Sequence, residues 1–376
     1  MQILTGELEQ VGENMKTGIS FTQIVFILML SNGLINHVIV IPLILDVAKR
    51  DSWLSVIFAG ALYLLWTVLI YFVYKKTRQE NLLLWVKKTY GSGIYLLIAL
   101  LTAAYCFTNA TVTLTDTVTW INLSFAPMTP LFVHTILFAV LCFMNAVLGI
   151  RSIAMTSSVL LPFVVILGFF VMATNFQHKD YSLLLPIMEN GFGPVAKGMA
   201  YAGTGFAELI IFLLLKHHLS STVPYIRLLL LAIAIVGLTI GPTIGAVIEF
   251  GPVVAANLRY PAYEEWRLAN IGIYIEHLDF LSIYQWFSGA FTRISLSLFL
   301  ITELFMIDNG RKRFWVLCGL FLCATAISIW PNSDISFYSL LSQYILPALL
   351  SVALFLSIVL MLLTAFAERR GRYEES

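Results

Sequence analysis

The first long apolar stretch of the chain is interrupted by Ser31-Asn32-Gly33-Leu34-Ile35-Asn36-His37, which precedes Val38 and runs on to Pro42. The sixth apolar stretch is interrupted in the same way by Gly203-Thr204-Gly205-Phe206-Ala207-Glu208. Unwound backbone at membrane depth is tolerated only where protein, ligand or water satisfies its polar groups. Interrupted helices in corresponding positions of two halves of a membrane protein indicate a substrate site between the halves.

The composition is that of a polytopic membrane protein. Hydrophobic residues make up 59% of the 376 residues and charged residues only 11%, whereas soluble domains carry roughly a quarter charged residues. A membrane-spanning helix needs about 20 mainly apolar residues. The sequence therefore predicts an all-α membrane protein with ten transmembrane helices, at about 19–46, 52–74, 92–121, 129–149, 153–174, 199–217, 223–249, 278–305, 313–330 and 338–366.

The ten predicted spans form one transmembrane domain, 1–376, with halves at about 1–174 and 199–366 joined by the outer loop 175–198. Placing both termini in the cytoplasm puts 15 Lys and Arg residues in inner segments and 6 in outer ones, as the positive-inside rule requires. The polar segment 250–277 is predicted to be a re-entrant or lid-like connection and not a span.

Two ionisable residues lie at membrane depth, where charge is costly and indicates function. Glu208 follows the second interruption. It is expected to bind a ligand amine or a proton, or to fix the interrupted helix by hydrogen bonds. Arg293 lies inside the eighth span. It could bind a ligand carboxylate, or form a structural ion pair with Glu208 or Glu303.

Amide and imidazole side chains are concentrated in the first interruption. Asn32 and Asn36 are four residues apart and share a helix face. They could contact a ligand or hydrogen-bond to another helix, and His37 could titrate near neutrality. The third span carries a polar stripe with helical spacing, made of Thr102, Tyr105, Asn109, Thr113 and Asp116.

The sequence contains no pattern typical of catalysis or cofactor binding. Paired carboxylates, a nucleophile elbow and a phosphate loop are absent, so neither an enzyme nor a cofactor is predicted. The four cysteines fall in predicted spans and no Cys/His spacing indicates a metal site. His217-His218, next to Lys216, is interpreted as an interfacial pair in a cytoplasmic loop.

Motifs along nearly the whole chain resemble one known family. They are Ile41-Pro42 followed by Asp51-Ser52-Trp53-Leu54-Ser55, then Gly191-Phe192-Gly193-Pro194-Val195-Ala196, Phe206-Ala207-Glu208, Tyr260-Pro261, Ile275-Glu276-His277-Leu278-Asp279 leading into Trp286, and Trp330-Pro331. In order and spacing they are similar to the B subunit of spore germinant receptors, the spore germination permease family of the amino acid/polyamine/organocation superfamily.

The resemblance implies a leucine-transporter-like inverted repeat of five plus five spans, with broken helices 1 and 6. It also implies a multi-pass protein of the bacterial cell membrane or spore inner membrane, in complex with an A subunit and a lipoprotein C subunit. The B subunit is expected to sense amino acids or similar nutrients.

The chain departs from the family pattern in two places. Relatives usually carry a glycine pair where this chain has Ile35-Asn36-His37, and His277 stands where relatives usually have arginine. Glycines at the first position let the backbone approach a ligand closely, so the departure bears on which ligand the site accepts.

The expected site lies between spans 1, 3, 6 and 8. The candidate ligand contacts are Asn32, Gly33, Asn36, His37, Tyr105, Asn109, Gly203, Thr204, Gly205, Phe206, Glu208 and Trp286, with the unwound backbone of 203–206 central and Glu208 and Arg293 as ion pair or coupling groups. Two alternatives remain: an ion-coupled amino-acid permease of the same fold, and a scaffold without a working site.

Overall fold

The computed structural model describes residues 18–272, 276–330 and 333–374, with side chains to residue 367. Ile275 and Pro331 of the family motifs and the two chain ends predicted to be cytoplasmic lie outside the described residues. The described chain is helical. Its α-helices are α1 Phe21–Leu34, α2 Ile41–Ala48, α3 Ser52–Lys76, α4 Leu82–Tyr90, α5 Ser92–Ser124, α6 Leu131–Leu148, α7 Ile150–Thr174, α8 Phe192–Ala207, α9 Ile211–Leu215, α10 Tyr225–Phe250, α11 Pro252–Ala255, α12 Pro261–Leu268, α13 Leu281–Leu304, α14 Gly310–Ile329, α15 Asp334–Leu340 and α16 Leu346–Glu374.

Nine helical segments among the described residues are long and apolar enough to cross a membrane. The prediction of an all-α polytopic membrane protein is therefore confirmed. The first segment, Phe21–Lys76, has 56 residues, and at about 1.5 Å per residue it is far longer than one bilayer crossing of about 30 Å requires. It is divided at Lys49, whose φ of 48° ends the regular helix.

Local sequence signals explain where several helices begin and end. α1 starts after a capping box, in which Ser20 Oγ accepts from Gln23 N–H and Gln23 Oε1 accepts from Ser20 N–H. Each bond satisfies a backbone N–H at the helix start that has no partner within the helix. Gly149 and Gly251 end α6 and α10 with φ of 87° and 77°, a left-handed conformation that glycine adopts without steric cost.

The core of the bundle lies around two segments. In Leu278–Leu304, which contains α13, 83% of the most hydrophobic window is buried, and in Phe192–His218 the value is 72%. The corresponding values for the segments containing α7 and α14 are 17% and 22%, so these helices lie at the periphery. The two ionisable residues predicted at membrane depth, Glu208 and Arg293, thus lie on the two most enclosed segments.

The two predicted interruptions are milder than unwound helices. Between α1 and α2 the chain forms a π-turn, Ile35–Ile39, in which Val40 N–H donates to the carbonyl of Ile35 at 3.0 Å. The α-helix of the other segment continues through Ala207 and tightens into a 3-10 turn only at Glu208–Ile210. The prediction of unwound backbone at 203–206 is therefore wrong.

The two segments approach each other closely at Gly205. A Cβ atom at Gly205 would lie 2.2 Å from Oδ1 of Asn36, which is a steric overlap. The small residue makes room for the neighbouring asparagine, while its own backbone remains helical.

Candidate ligand site

An ion pair occupies the centre of the bundle. Arg293 of α13 and Glu208 at the end of α8 are each 1% exposed. Nη1 and Nη2 of the guanidinium donate one hydrogen bond each to Oε2 and Oε1 of the carboxylate. Paired, bidentate geometry of this kind offsets part of the cost of burying two charges.

The remaining N–H groups of Arg293 also have acceptors. Nε donates to Oγ1 of Thr113 at 2.7 Å and Nη2 to Oδ1 of Asn109 at 2.9 Å, both on α5. Nη1 donates to the carbonyl of Ser31 on α1 at 3.2 Å. Since a guanidinium has five N–H donors, all five are used within the protein, and none is left for a ligand carboxylate.

The backbone of α1 supplies one of these acceptors because its hydrogen-bond pattern changes locally. Ile35 N–H donates to the carbonyl of Asn32, three residues back. The side chain of Asn36 donates to the same carbonyl at 2.9 Å. The carbonyl of Ser31, which a regular α-helix would pair with Ile35 N–H, accepts from Arg293 instead. π-turns within α-helices frequently occur at functional sites.

Several polar atoms beside the ion pair are buried without a hydrogen-bond partner among the described residues. They belong to four side chains on α1, the π-turn and α5, and are Ser31 Oγ, Asn32 Oδ1 and Nδ2, Asn36 Oδ1 and Asn109 Nδ2. Each buried polar atom left without a partner costs about 1–3 kcal/mol. This cluster, the polar cluster below, therefore has donors and acceptors available for a further polar partner.

Four of the predicted ligand contacts face other helices. Gly33 lies against the side chain of Leu238 on α10, and His37 Nδ1 lies 3.4 Å from the carbonyl of that residue. Gly203 faces the side chain of Leu350 on α16. Thr204 Oγ1 donates to the carbonyl of Leu346 at 3.2 Å. These residues contact the supporting helices and not the polar cluster.

Aromatic stacking occupies two other predicted contacts. Phe206 stacks on Tyr63 of α3, with ring centroids 4.9 Å apart and planes at 19°. Trp286 stacks on Trp120 of α5 at 4.0 Å and 4°, seven residues from Arg293 and hence about 10 Å along α13. Trp286 therefore lies above the ion pair, toward the end of the bundle that is predicted to face outward.

The connection 252–268, which contains α11 and α12, closes this outer end. Arg259 binds Asp116 of α5 at 2.7 Å and Asp334 of α15 at 3.2 Å. Its guanidinium also lies over the ring of Tyr260, whose ring edge contacts Trp286 at 5.4 Å between centroids. Arg259 thus joins three elements directly above the stacked tryptophans.

An apolar cavity lies on the opposite, inner side of the ion pair. Tyr105 and Thr102 of α5 contribute to its wall, together with Ile210 and Ile211, two and three residues after Glu208. The rest of its lining is leucine and isoleucine from α4, α5, α9 and α16. Tyr105 therefore lines an apolar cavity.

Sequence reasoning omitted some groups at this centre from the expected site. Thr113 was recognisable as a member of the polar stripe on α5, yet the carbonyl of Ser31 had no sequence signal because it is a backbone atom. Tyr63 and Trp120 are large aromatic residues in apolar stretches, where their pattern does not differ from that of core residues.

Comparison with known proteins places this arrangement in context. A family model described as "Spore germination protein" matches residues 18–337. The chain is 46% identical over 354 residues to spore germination protein XB of Bacillus anthracis, covering 94% of this chain and 99% of that protein. It is 22% identical over 325 residues to spore germination protein A2 of Bacillus subtilis strain 168, covering 80% and 85%.

Proposed function

Since the chain belongs to the spore germination protein family, we propose that it is the nutrient-sensing B subunit of a germinant receptor. It is an integral multi-pass membrane protein of a transporter-like receptor family without a catalytic role. In the proposal, a small ligand such as an amino acid binds between α1, α5, α8 and α13. Its binding is signalled to an A subunit and a lipoprotein C subunit in the spore inner membrane.

The proposed architecture is ten spans arranged as a five-plus-five inverted repeat. The length of Phe21–Lys76 and its division at Lys49 support two crossings within that segment. The π-turn, which contains Asn36, and the 3-10 turn, which begins three residues after Gly205, support the repeat, because both segments depart from α-helical geometry close to their contact. In this arrangement the departures take the place of the broken helices.

The observation that carries the ligand proposal is the polar cluster. Its atoms include hydroxyl and amide donors and amide acceptors. Two of its residues, Ser31 and Asn109, also bond to Arg293, whose own hydrogen bonds are satisfied. A zwitterionic or polyhydroxylated molecule of small size has the complementary groups. Because Arg293 has no free donor, a ligand carboxylate would be bound by amide and hydroxyl groups.

The surroundings of the cluster suggest how a ligand is enclosed. The stacked pair Trp120 and Trp286 and the connection held by Arg259 lie between the cluster and the outer end. Entry from outside requires these groups to move, and binding that favours one of two arrangements shifts the population between them. Partner subunits that contact the bundle would respond to that shift if they bind the two arrangements with different affinities.

An ion-coupled permease of the same fold is the second candidate, with Glu208 as the proton-binding group. Both carboxylate oxygens of Glu208 accept from Arg293, so protonation requires the pair to open. Uptake of radiolabelled nutrient into proteoliposomes separates the two functions: net flux identifies a permease, and saturable binding without flux identifies a receptor. Fold alone cannot make this distinction.

The experiment that tests the ligand site is a thermal-shift scan of the detergent-purified protein against amino acids, sugars and nucleosides, with Asn32→Leu as the variant. Ligand at about 100 times its dissociation constant adds roughly 2.7 kcal/mol to the free energy of unfolding. We expect one class of nutrient to raise the melting temperature of the wild type only. Without ligand, Asn32→Leu is expected to be as stable as wild type or up to about 1 kcal/mol more stable, because it removes two unpartnered buried polar atoms.

Thr204→Val is the matched control. It removes a buried hydroxyl from the same region, but that hydroxyl bonds to α16, so the ligand response should persist while basal stability falls. An equal ligand response in wild type and Asn32→Leu would place binding elsewhere. Absence of any response, in the isolated chain and in the co-expressed receptor complex, would favour the scaffold interpretation.

A further inference from the structure

Three side chains with metal-ligating atoms converge at the inner end of the bundle. His217 and His218 form the 3-10 turn that follows α9, and Glu303 lies in the last turn of α13. Nε2 of each histidine lies 3.4 Å from the same oxygen, Oε2 of Glu303. This grouping has no signal in the sequence, because Glu303 is 85 residues beyond His218 and an adjacent histidine pair fits no zinc-binding spacing.

Both distances from imidazole nitrogen to Oε2 of Glu303 match those between ligands of one metal ion, and the three ligand atoms all lie within 4.8 Å of one another. Imidazole nitrogen and carboxylate oxygen bind zinc at about 2.0–2.2 Å, so two such ligands at tetrahedral angles lie about 3.3–3.5 Å apart. Hydrogen bonding does not account for the whole arrangement, because His218 Nε2 has no hydrogen-bond partner among the described residues. The two imidazole rings lie side by side, with centroids 3.9 Å apart.

The neighbouring cations leave the two imidazole nitrogens and Oε2 available. Lys216 points away and donates to the carbonyls of Thr77 and Arg78 at 3.1 and 2.7 Å. Arg313 approaches the other oxygen of the carboxylate, Oε1 of Glu303, at 3.9 Å. A charged partner on the second oxygen orients a ligating carboxylate, as outer-shell groups do in metal sites.

We propose that His217, His218 and Glu303 form a binding site for a divalent first-row transition metal, with zinc as the best fit. A ligand set with two imidazoles and one carboxylate favours such ions over calcium and magnesium, which prefer ligand sets made of oxygen atoms. His217 and Glu303 also line a small cavity with Asn81 and Leu82, which leaves room for water as a fourth ligand. The metal would connect the end of the α9 segment to the end of α13.

The test is a titration of the purified full-length protein, made without a polyhistidine tag, with Co²⁺ and then Zn²⁺. We expect one equivalent of Co²⁺ to bind with the strong visible absorption of tetrahedral cobalt, and Zn²⁺ to displace it. His218→Ala and Glu303→Ala should each weaken Zn²⁺ binding, measured against a competing chelator, by more than the roughly 10- to 100-fold that loss of an outer-shell partner causes. His178→Ala, in the outer connection 175–198, is the matched control and should bind like wild type.

A second variant distinguishes loss of a metal ligand from loss of the fold. His218→Cys replaces one ligand by another, so Co²⁺ binding should persist with a new thiolate charge-transfer band. Failure of the monodisperse wild type to bind Co²⁺ or Zn²⁺ stoichiometrically would overturn the proposal. Unchanged Zn²⁺ affinity in both alanine variants would overturn it as well. Neither result bears on nutrient binding, because Glu303 lies ten residues, or about 15 Å, beyond Arg293 on α13.

Discussion

Arg293 connects four elements through one side chain: α1, α5, α13 and the turn after α8. Its partners differ in kind, since Glu208 carries charge, Asn109 and Thr113 are neutral side chains, and Ser31 contributes only its backbone. The charge pair could be anticipated from sequence because ionisable residues at membrane depth are rare. The neutral partners could not, because the rotation of each helix about its axis decides which polar residue reaches the guanidinium.

Breaking the pair should cost far more than removing it. Arg293→Met leaves the Glu208 carboxylate buried without a partner, and we expect a loss of about 3–5 kcal/mol in the free energy of unfolding. The double variant Arg293→Met with Glu208→Met should recover most of that loss, because no charge remains buried. Chemical denaturation of the purified variants in detergent measures both values. A double variant no more stable than Arg293→Met would show that the neutral hydrogen bonds of Arg293, and not its charge, hold the helices together.

At the scale of elements, the position of the interruptions was predictable but their form was not. Small and polar residues in an apolar stretch mark a place where helices meet closely, and the π-turn at Ile35–Ile39 does fall there. Whether such a segment unwinds depends on its neighbour. Gly205 stays helical and leaves space for Asn36, whereas Gly33 and Gly203 contact side chains of α10 and α16. A glycine in a sequence does not say which helix it faces.

The contact between Asn36 and Gly205 predicts a specific rescue. Gly205→Ala alone should lower the free energy of unfolding by about 1–3 kcal/mol through overpacking, because the new methyl group overlaps the amide of Asn36. Adding Asn36→Ala removes the overlapping atoms, so the double variant should be more stable than Gly205→Ala. Thermal unfolding of the four proteins in this cycle gives the coupling. Simple additivity of the two substitutions would mean that the segments do not touch at this point.

At the scale of the whole molecule, hydropathy was informative because the bilayer imposes a length on every span. Every predicted span lies in one of the nine apolar helical segments, with the first two together in Phe21–Lys76. The packing order within the bundle was not predictable, since the hydropathy of a span does not specify which spans are its neighbours. The stacked pair Trp120 and Trp286 is formed by residues distant in sequence. The same holds for Glu303 and the histidine pair at the opposite end of the bundle.

The orientation of the molecule is open to direct measurement. With both termini inside, a cysteine introduced at Asn257 should react with a membrane-impermeant maleimide on intact cells, whereas one introduced at Gly310 should react only after permeabilisation. The reason is the bias of Lys and Arg toward the segments that include 310–313. A background variant lacking Cys323, the exposed native thiol, serves as the control. The reverse labelling pattern would invert the assignment of outer and inner ends.

All five N–H donors of Arg293 are hydrogen-bonded within the protein, and this affects how often the bundle rearranges without ligand. Any rearrangement that separates α13 from α1, α5 or the turn at Glu208 breaks charged hydrogen bonds of Arg293. Where no new partner replaces them, a penalty of about 3–5 kcal/mol corresponds to roughly one molecule in 10² to 10⁴ rearranged at rest. A receptor with this ion pair at its centre would rarely adopt the rearranged state in the absence of ligand. In the proposed receptor, the hydrogen bonds of Arg293 would therefore keep the rearranged state sparsely populated until a ligand binds it preferentially.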